Sequence, residues 1–195
     1  MRLVLASVSA RRRLLLEQQG LDFEIKPAHV DETILSEETP GATVVRLARS
    51  KATEISARVP DAVVLGADTL VCLGETVLGK PVNMDQARDM LLTLSGKSHR
   101  VLTGVALVRR APPREAAWVC SSRVLFKAYG RDTVEDYLGR VYTLDKAGGY
   151  AVQEEGHLLV DRVEGLVSNV IGLPVERVME ELDAFREFPP TSVSE

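Results

Sequence analysis

The chain has 195 residues, of which 45% are hydrophobic and 27% charged, and its net charge is −4. That length is enough for a sizeable core in one domain or in two closely packed lobes. The acidic balance argues against a general nucleic-acid binder, which needs a surplus of Lys and Arg facing phosphates.

Arg2–Ala6 (RLVLA) reads as a short buried strand. It is too short, and too promptly followed by arginines, to be read as a signal peptide. No run approaches the ~20 apolar residues of a membrane span. No membrane partner is therefore expected, and the cytoplasm is the default location. Ala10–Gln19 predicts a helix closed by Gly20. Its first turn holds Arg11, Arg12 and Arg13 at the positive end of the helix dipole, where cations are disfavoured. Phe23–Lys26 reads as a second short strand. Thr39 and Pro40 supply an N-cap hydroxyl and an N1 proline for a helix running to about Arg58. Its apolar face, Val44, Leu47, Ala48, Ala52 and Ile55, recurs at helical spacing.

Ala62–Leu65 is a wholly apolar strand expected to end in a turn, Gly66-Ala67-Asp68-Thr69. Leu70–Leu78 reads as strand, turn and strand around Gly74-Glu75. Asp85–Leu94 is an amphipathic helix stopped by Ser95-Gly96. Two long strands follow, His99–Arg109 and Ala116–Tyr129, joined by a surface turn at Arg110–Arg114. Thr133–Leu138 begins a helix, Tyr150–Val152 and His157–Val163 are short strands, and Leu173–Leu182 is a last helix. Helices alternate with strands, but the middle strands are consecutive. That pattern predicts an α/β fold with a mixed central sheet flanked by helices. Residues 1–186 are expected to form a single domain, with Glu187–Glu195 as a mobile tail.

Three arginines at a helix start need an offset. Pairing with surface carboxylates is one; a bound anion is the preferred other, since it relieves the dipole conflict. Ser7 and Ser9 offer hydroxyls, Ser9 suits the N-cap, and the first-turn N–H groups point outward. Arg11 and Arg12 add forked donors that match phosphate oxygens. Successive helical residues turn by about 100°, so Arg13 faces away. Asp68 follows a buried strand, where α/β sheets place ligands, and is suited to bind a metal or act as a general base. Asp31-Glu32 lies in a polar loop, where adjacent acids are usually just solvated.

Gly74–Lys80 fits GxxxxGK, but the next residue is Pro81, which has no hydroxyl for Mg²⁺ and no N–H. The P-loop reading fails, and Lys80 remains as a lysine at a strand end. In Leu144–Gln153 two glycines allow a backbone to approach a ligand closely. Asp145 and Lys146 are suited to pair with each other or with solvent, and the Gln153 amide can read a base edge. Ser168–Pro174 reads as a turn at Gly172 and a helix start at Pro174. His29, His99 and His157 show no zinc spacing, and there is no GxSxG elbow. Cys72 and Cys120 form no CxxC and read as small core residues. The available ligands are carboxylates, which suit Mg²⁺ or Mn²⁺.

Taken in order, these segments resemble the Maf family of nucleoside triphosphate pyrophosphatases. The resemblance rests on Ser7-x-Ser9-x-Arg11-Arg12, Arg46-Leu47-Ala48-x-x-Lys51-Ala52, Gly66-Ala67-Asp68-Thr69 and Gly79-Lys80-Pro81. It continues through Leu94-Ser95-Gly96-x-x-His99-x-Val101-x-Thr103, Asp145-Lys146-Ala147-Gly148-x-Tyr150-x-Val152-Gln153 and Gly172-Leu173-Pro174. It implies a two-lobed, Maf/ITPase-like protein that cleaves a nucleoside triphosphate between its α and β phosphates with a divalent metal. It places the proton acceptor at Asp68 and a metal on Asp68 with Glu32. It assigns the triphosphate to Ser7, Ser9, Arg11, Arg12, Lys51 and Lys80, and specificity to Arg11, Thr69 and Gln153, in the pattern of the branch acting on dTTP and UTP. It also implies a homodimer. The chain departs from the family pattern at Ala10 (usually Pro), at Leu14 and Ser50 (often Glu), and at Glu154-Glu155-Gly156, where Gly-x-Gly is usual. Asp31-Glu32-Thr33 resembles the branch acting on 7-methyl-GTP, which is one alternative. A non-catalytic nucleotide-binding inhibitor of division is the other.

Overall fold

An apolar run without polar alternation belongs where both faces of a sheet are covered. β1 (Leu3–Leu5) is such a run, and it pairs in parallel with β2 (Glu24–Ile25) and β3 (Val63–Leu73). β3 pairs antiparallel with β4 (Thr76–Leu78) and with β5 (Ser98–Arg110). β5 continues to β6 (Pro113–Phe126), and β6 to β7 (Val160–Glu164), all antiparallel. The mixed sheet thus has seven strands in the order β2-β1-β3-β5-β6-β7, with β4 joined to β3. The structure is a computed structural model describing residues 1–187, so the tail expected over Glu187–Glu195 lies outside the described residues from 188 onward.

Strand alternation sends odd and even residues of β3 to opposite faces. On the odd face, Leu65 and Ala67 pack with Val105 and Leu107 under Leu16 of α1 (Ala10–Glu17) and under Val178 and Leu182 of α6 (Val175–Glu187). Further along the same face, Val71, Val101 and Val124 pack on α3 (Met84–Leu94) and α4 (Arg131–Arg140) through Leu91, Leu94, Val134 and Tyr137. The even face carries α2 (Pro40–Ser56), whose Ala48, Ala52 and Ile55 sit on Val4, Val64 and Ala106. The long strands therefore serve two lobes with separate cores. α2 lies close to the sheet because two strand residues have no side chain. A Cβ at Gly66 would stand 2.2 Å from the Ala48 carbonyl oxygen, and one at Gly104 2.2 Å from that of Val44.

Several expectations are corrected. Gly66–Thr69 is not a turn: β3 runs unbroken to Leu73, because β5 pairs with it from Val64 to Cys72 and holds it extended. Tyr150–Val152 is not a strand. The preceding turn, Ala147–Gly149, has Gly148 and Gly149 at φ of 71° and 73°, and its Gly148 N–H donates to the Gly79 carbonyl at 3.0 Å. The apolar character there reflects the packing of Tyr150 and Ala151 into the core, not sheet pairing. His157 and Leu158 form a 3-10 turn with Gly156, and β7 begins only at Val160. The β5–β6 connection is shorter than Arg110–Arg114, since Arg110 already pairs with Pro113. Ser168–Ile171 is helical, within α5 (Val167–Ile171). Among the described residues, no helix is long and apolar enough to cross a membrane.

Candidate active site

β1 stops at Leu5, whereas β4 joins β3 only from Val71 onward. Between them, residues 66–70 of β3 have no strand partner on that edge. The chain leaving β1 turns through Ser7–Ser9 into α1, so the N-terminus of α1 opens onto the gap. A cavity of about 690 Å³ occupies this position between the lobes. Ser7, Ser9, Arg11, Arg12, Glu32, Lys51, Asp68, Thr69, Lys80 and Gln153 all line it. The structure brings every nominated residue to one cavity, although they come from six separate stretches of chain.

At the polar end, Asp68 faces α2 and meets Lys51. The Lys51 ammonium lies 2.6 Å from Asp68 Oδ1 and 2.8 Å from Glu32 Oε1, and Lys51 is only 8% exposed. A lysine buried to that degree requires such partners. The Glu32 carboxyl is held below its usual range: burial alone would raise it, but the Lys51 hydrogen bond and the charges of Lys51, Lys80 and Arg12 outweigh that. Asp31-Glu32 is therefore more than a solvated pair, since the loop turns Glu32 onto Lys51. Arg46 secures this loop by donating to Glu38 at 2.7 Å and to the Thr33 carbonyl at 2.9 Å. Lys80 is exposed on the rim. Asp68 and Glu32 are the hard oxygen donors a divalent ion takes. Among the described residues they have no third His, Cys, Asp or Glu to complete a set. Such a pair fits an ion whose remaining ligands are phosphate oxygens and water.

The arginine run divides. Ser9 caps α1 by accepting from the Arg12 N–H at 3.4 Å, and Ser7 Oγ accepts from the Ser9 N–H at 3.2 Å. Arg12 reaches inward, with Nε donating to the Gly172 carbonyl at 2.9 Å, Nη2 to Thr69 Oγ1 at 3.1 Å and Nη1 to Ser7 Oγ at 3.4 Å. Burial lowers its affinity for the proton, and the charge of Asp68 partly restores it. Arg11 spans the cleft to Asp145, with Nη1 2.9 Å from Oδ2 and Nη2 3.3 Å from the backbone oxygen. Arg13 faces solvent and pairs with Glu17 at 3.4 Å. Carboxylates thus offset Arg11 and Arg13, while Arg12 lies at the cavity with no carboxylate bonded to it among the described residues.

Sequence reasoning gave Lys146 only as a partner of Asp145 or solvent, and missed three other participants. Lys146 is interior, 4% exposed, and binds the Tyr142 carbonyl at 2.6 Å, Asp145 at 2.9 Å and Glu154 at 3.3 Å. Glu154, a departure from the family pattern, thereby helps hold the segment that presents Gln153, which is exposed at the cavity mouth. Thr103 contacts Thr69 at 3.0 Å. Buried His99 contacts the Tyr150 hydroxyl at 2.7 Å. The period-two row His99, Val101, Thr103 on β5 was the signal available for the last two.

Burial holds the His99 imidazole down to about 4. Its folded value lies below the unfolded ~6.5, so between the two the unfolded chain binds the extra proton. Stability is therefore complete above the unfolded value and falls as the pH drops through that window, by about 3 kcal/mol at pH 4. Urea unfolding across this range should show that slope, and His99→Gln should flatten it. Equal slopes in parent and variant would remove His99 from the account.

A model of the family described as Maf-like protein matches residues 2–185. The chain is 46% identical over 181 residues to a dTTP/UTP pyrophosphatase of Syntrophus aciditrophicus (strain SB), covering 93% of this chain and 88% of that protein. It is 49% identical over 176 residues to one named likewise from Anaeromyxobacter dehalogenans (strain 2CP-1 / ATCC BAA-258), covering 89% of each. Among solved structures, a HAM1 protein from Coxiella burnetii superposes with a TM-score of 0.53 at 15% identity, covering 96% of this chain and 100% of that one. At that identity the likeness shows a shared fold.

Proposed function

Since the chain belongs to the Maf family, we propose that it hydrolyses dTTP and UTP between the α and β phosphates, releasing the monophosphate and pyrophosphate. The observation that carries this is the Asp68–Lys51–Glu32 cluster, set in the same cavity as the N-terminus of α1 and Arg12. Cations and first-turn N–H groups receive the phosphates, while the carboxylates are placed to handle a proton and a metal. The relatives named dTTP/UTP pyrophosphatase support the choice of base.

Water attacks the α phosphorus, the bond from that phosphorus to the bridging oxygen breaks, and pyrophosphate leaves with the bonding pair. Asp68 accepts the proton of the attacking water. Lys51 orients Asp68 and Glu32, and Arg11, Arg12 and Lys80 draw the triphosphate oxygens into place. Asp68 and Glu32 would hold Mg²⁺ or Mn²⁺, which when bound supplies charge neutralisation at the phosphates and a more acidic water. The family resemblance also brings a homodimer and a cytoplasmic location into this proposal.

Pyrophosphate release should be measured with dTTP, UTP, CTP and 7-methyl-GTP, with Mg²⁺, Mn²⁺ or a chelator present. Turnover of dTTP and UTP that the chelator abolishes is expected. A preference for 7-methyl-GTP by kcat/KM would move the substrate assignment to the purine branch. Nucleotide binding without pyrophosphate release would favour a non-catalytic role.

A further inference from the structure

We infer that Thr103 is a positioning residue that fixes the Thr69 hydroxyl as an acceptor toward the cavity, and through it selects a base with a ring N–H over one with a bare ring nitrogen. This deepens the proposed function and rests on it. Thr69 and Asp68 are neighbours on β3 and so point to opposite faces. Asp68 belongs to the charged end of the cavity. The wall on the Thr69 side is largely apolar, with Val71, Val101, Val170, Ile171 and Tyr150. A flat base fits such a wall, where a few placed polar groups decide its identity.

The direction of each hydrogen bond around Thr69 follows from the groups present. The Asn169 backbone carbonyl can only accept, so the Thr103 O–H donates to it, at 3.1 Å. Thr103 Oγ1 has no second hydrogen and must accept from the Thr69 O–H, at 3.0 Å. The competing acceptor for that hydrogen, the Gly172 carbonyl, is more distant at 3.5 Å. An Arg12 N–H occupies one lone pair of Thr69 at 3.1 Å. Thr69 then has one lone pair free and no hydrogen to give. Thr103 is fully buried, so no solvent competes for its bonds.

Uracil and thymine carry a ring N–H that such an acceptor receives. Cytosine presents a lone pair at the same ring position, so the two groups are desolvated without a bond. A hydroxyl free to rotate would tolerate either base. The relay through Thr103 removes that tolerance.

Thr103→Val tests this, because the Asn169 carbonyl keeps the Gly172 N–H at 3.1 Å and no buried acceptor is orphaned. The Thr69 hydrogen is then left with only the longer contact to the Gly172 carbonyl, at 3.5 Å, and is free to turn toward the cavity. The ratio of kcat/KM for UTP to that for CTP should fall about ten-fold in the variant, while Thr103→Ser keeps the parent ratio. Thr103→Ala removes the same hydroxyl and serves if the valine variant folds poorly. An equal loss on both substrates, or a parent that does not separate UTP from CTP, overturns the inference. The ratio of UMP to CMP binding in the same variants reads Thr103 without turnover. If the parent fails to hydrolyse dTTP or UTP, the proposed function falls, and the binding ratio still judges Thr103 separately.

Discussion

Asp68→Asn is expected to lower dTTP turnover by roughly 10³-fold while leaving the protein folded. A positioned general base typically contributes 10²–10⁴ in rate, and an amide cannot take the proton. The fold should survive because of what surrounds Asp68. An Asn side chain of the same shape still offers its carbonyl oxygen to the Lys51 ammonium, now 2.6 Å from the carboxylate. Breaking a buried ion pair typically costs about 3–5 kcal/mol when a charge is left alone. Lys51 is not left alone, since Glu32 remains 2.8 Å away. Thermal unfolding should therefore move little, while pyrophosphate release at saturating substrate collapses. A variant turning over dTTP at the parent rate would exclude Asp68 as the proton acceptor. Unfolding together with loss of activity would mean that Asp68 matters chiefly as a charge partner.

The second large effect is expected at a residue with no chemistry. Gly66→Ala would place a methyl 2.2 Å from the Ala48 carbonyl oxygen and 2.9 Å from the Ala52 nitrogen, both in the backbone of α2. Neither can rotate away, so the helix must lift from the sheet. Overpacking of this kind typically costs about 1–3 kcal/mol and sometimes more. The damage should extend to catalysis, because Lys51 lies between Ala48 and Ala52 on the displaced helix and Asp68 lies two residues beyond Gly66. Gly139→Ala provides the control: nothing lies within 4 Å of the added methyl, and its position in α4 favours alanine. Denaturant midpoints and dTTP turnover should drop for Gly66→Ala and hold for Gly139→Ala. Equal stability in the two variants would show that α2 lifts from the sheet without cost.

Much of the site was legible because its parts are short and local. The Ser9 cap, the serines before it and the paired arginines lie within a few residues of one another, and helical geometry alone sets Arg13 apart from Arg12. Asp68 stood out as an acid after an apolar strand, whereas Lys51 came only with the family resemblance. Their contact did not show in either segment. Lys146 was harder still, since a lysine beside an aspartate gives no sign that it is interior.

Elements that depend on a few neighbouring residues were set locally: the capped starts of α1 and α2, the turn at Gly74, the helix stop near Gly96, and with them the α/β class of the whole. Whether an extended stretch pairs, and with what, depended on long-range contacts. Asp68 lies within a strand and not in a turn because β5 runs beside it, with Asp68 opposite Gly104. Tyr150–Val152 lies outside the sheet because the Gly148–Gly149 bend leads it into the core. Arg11 meets Asp145 across 134 positions of chain, and Thr69 meets Thr103 across 34. Local propensity acts over a turn or two of backbone. Strand pairing, buried charge partners and the direction of a shared hydrogen depend on which distant groups the fold brings together.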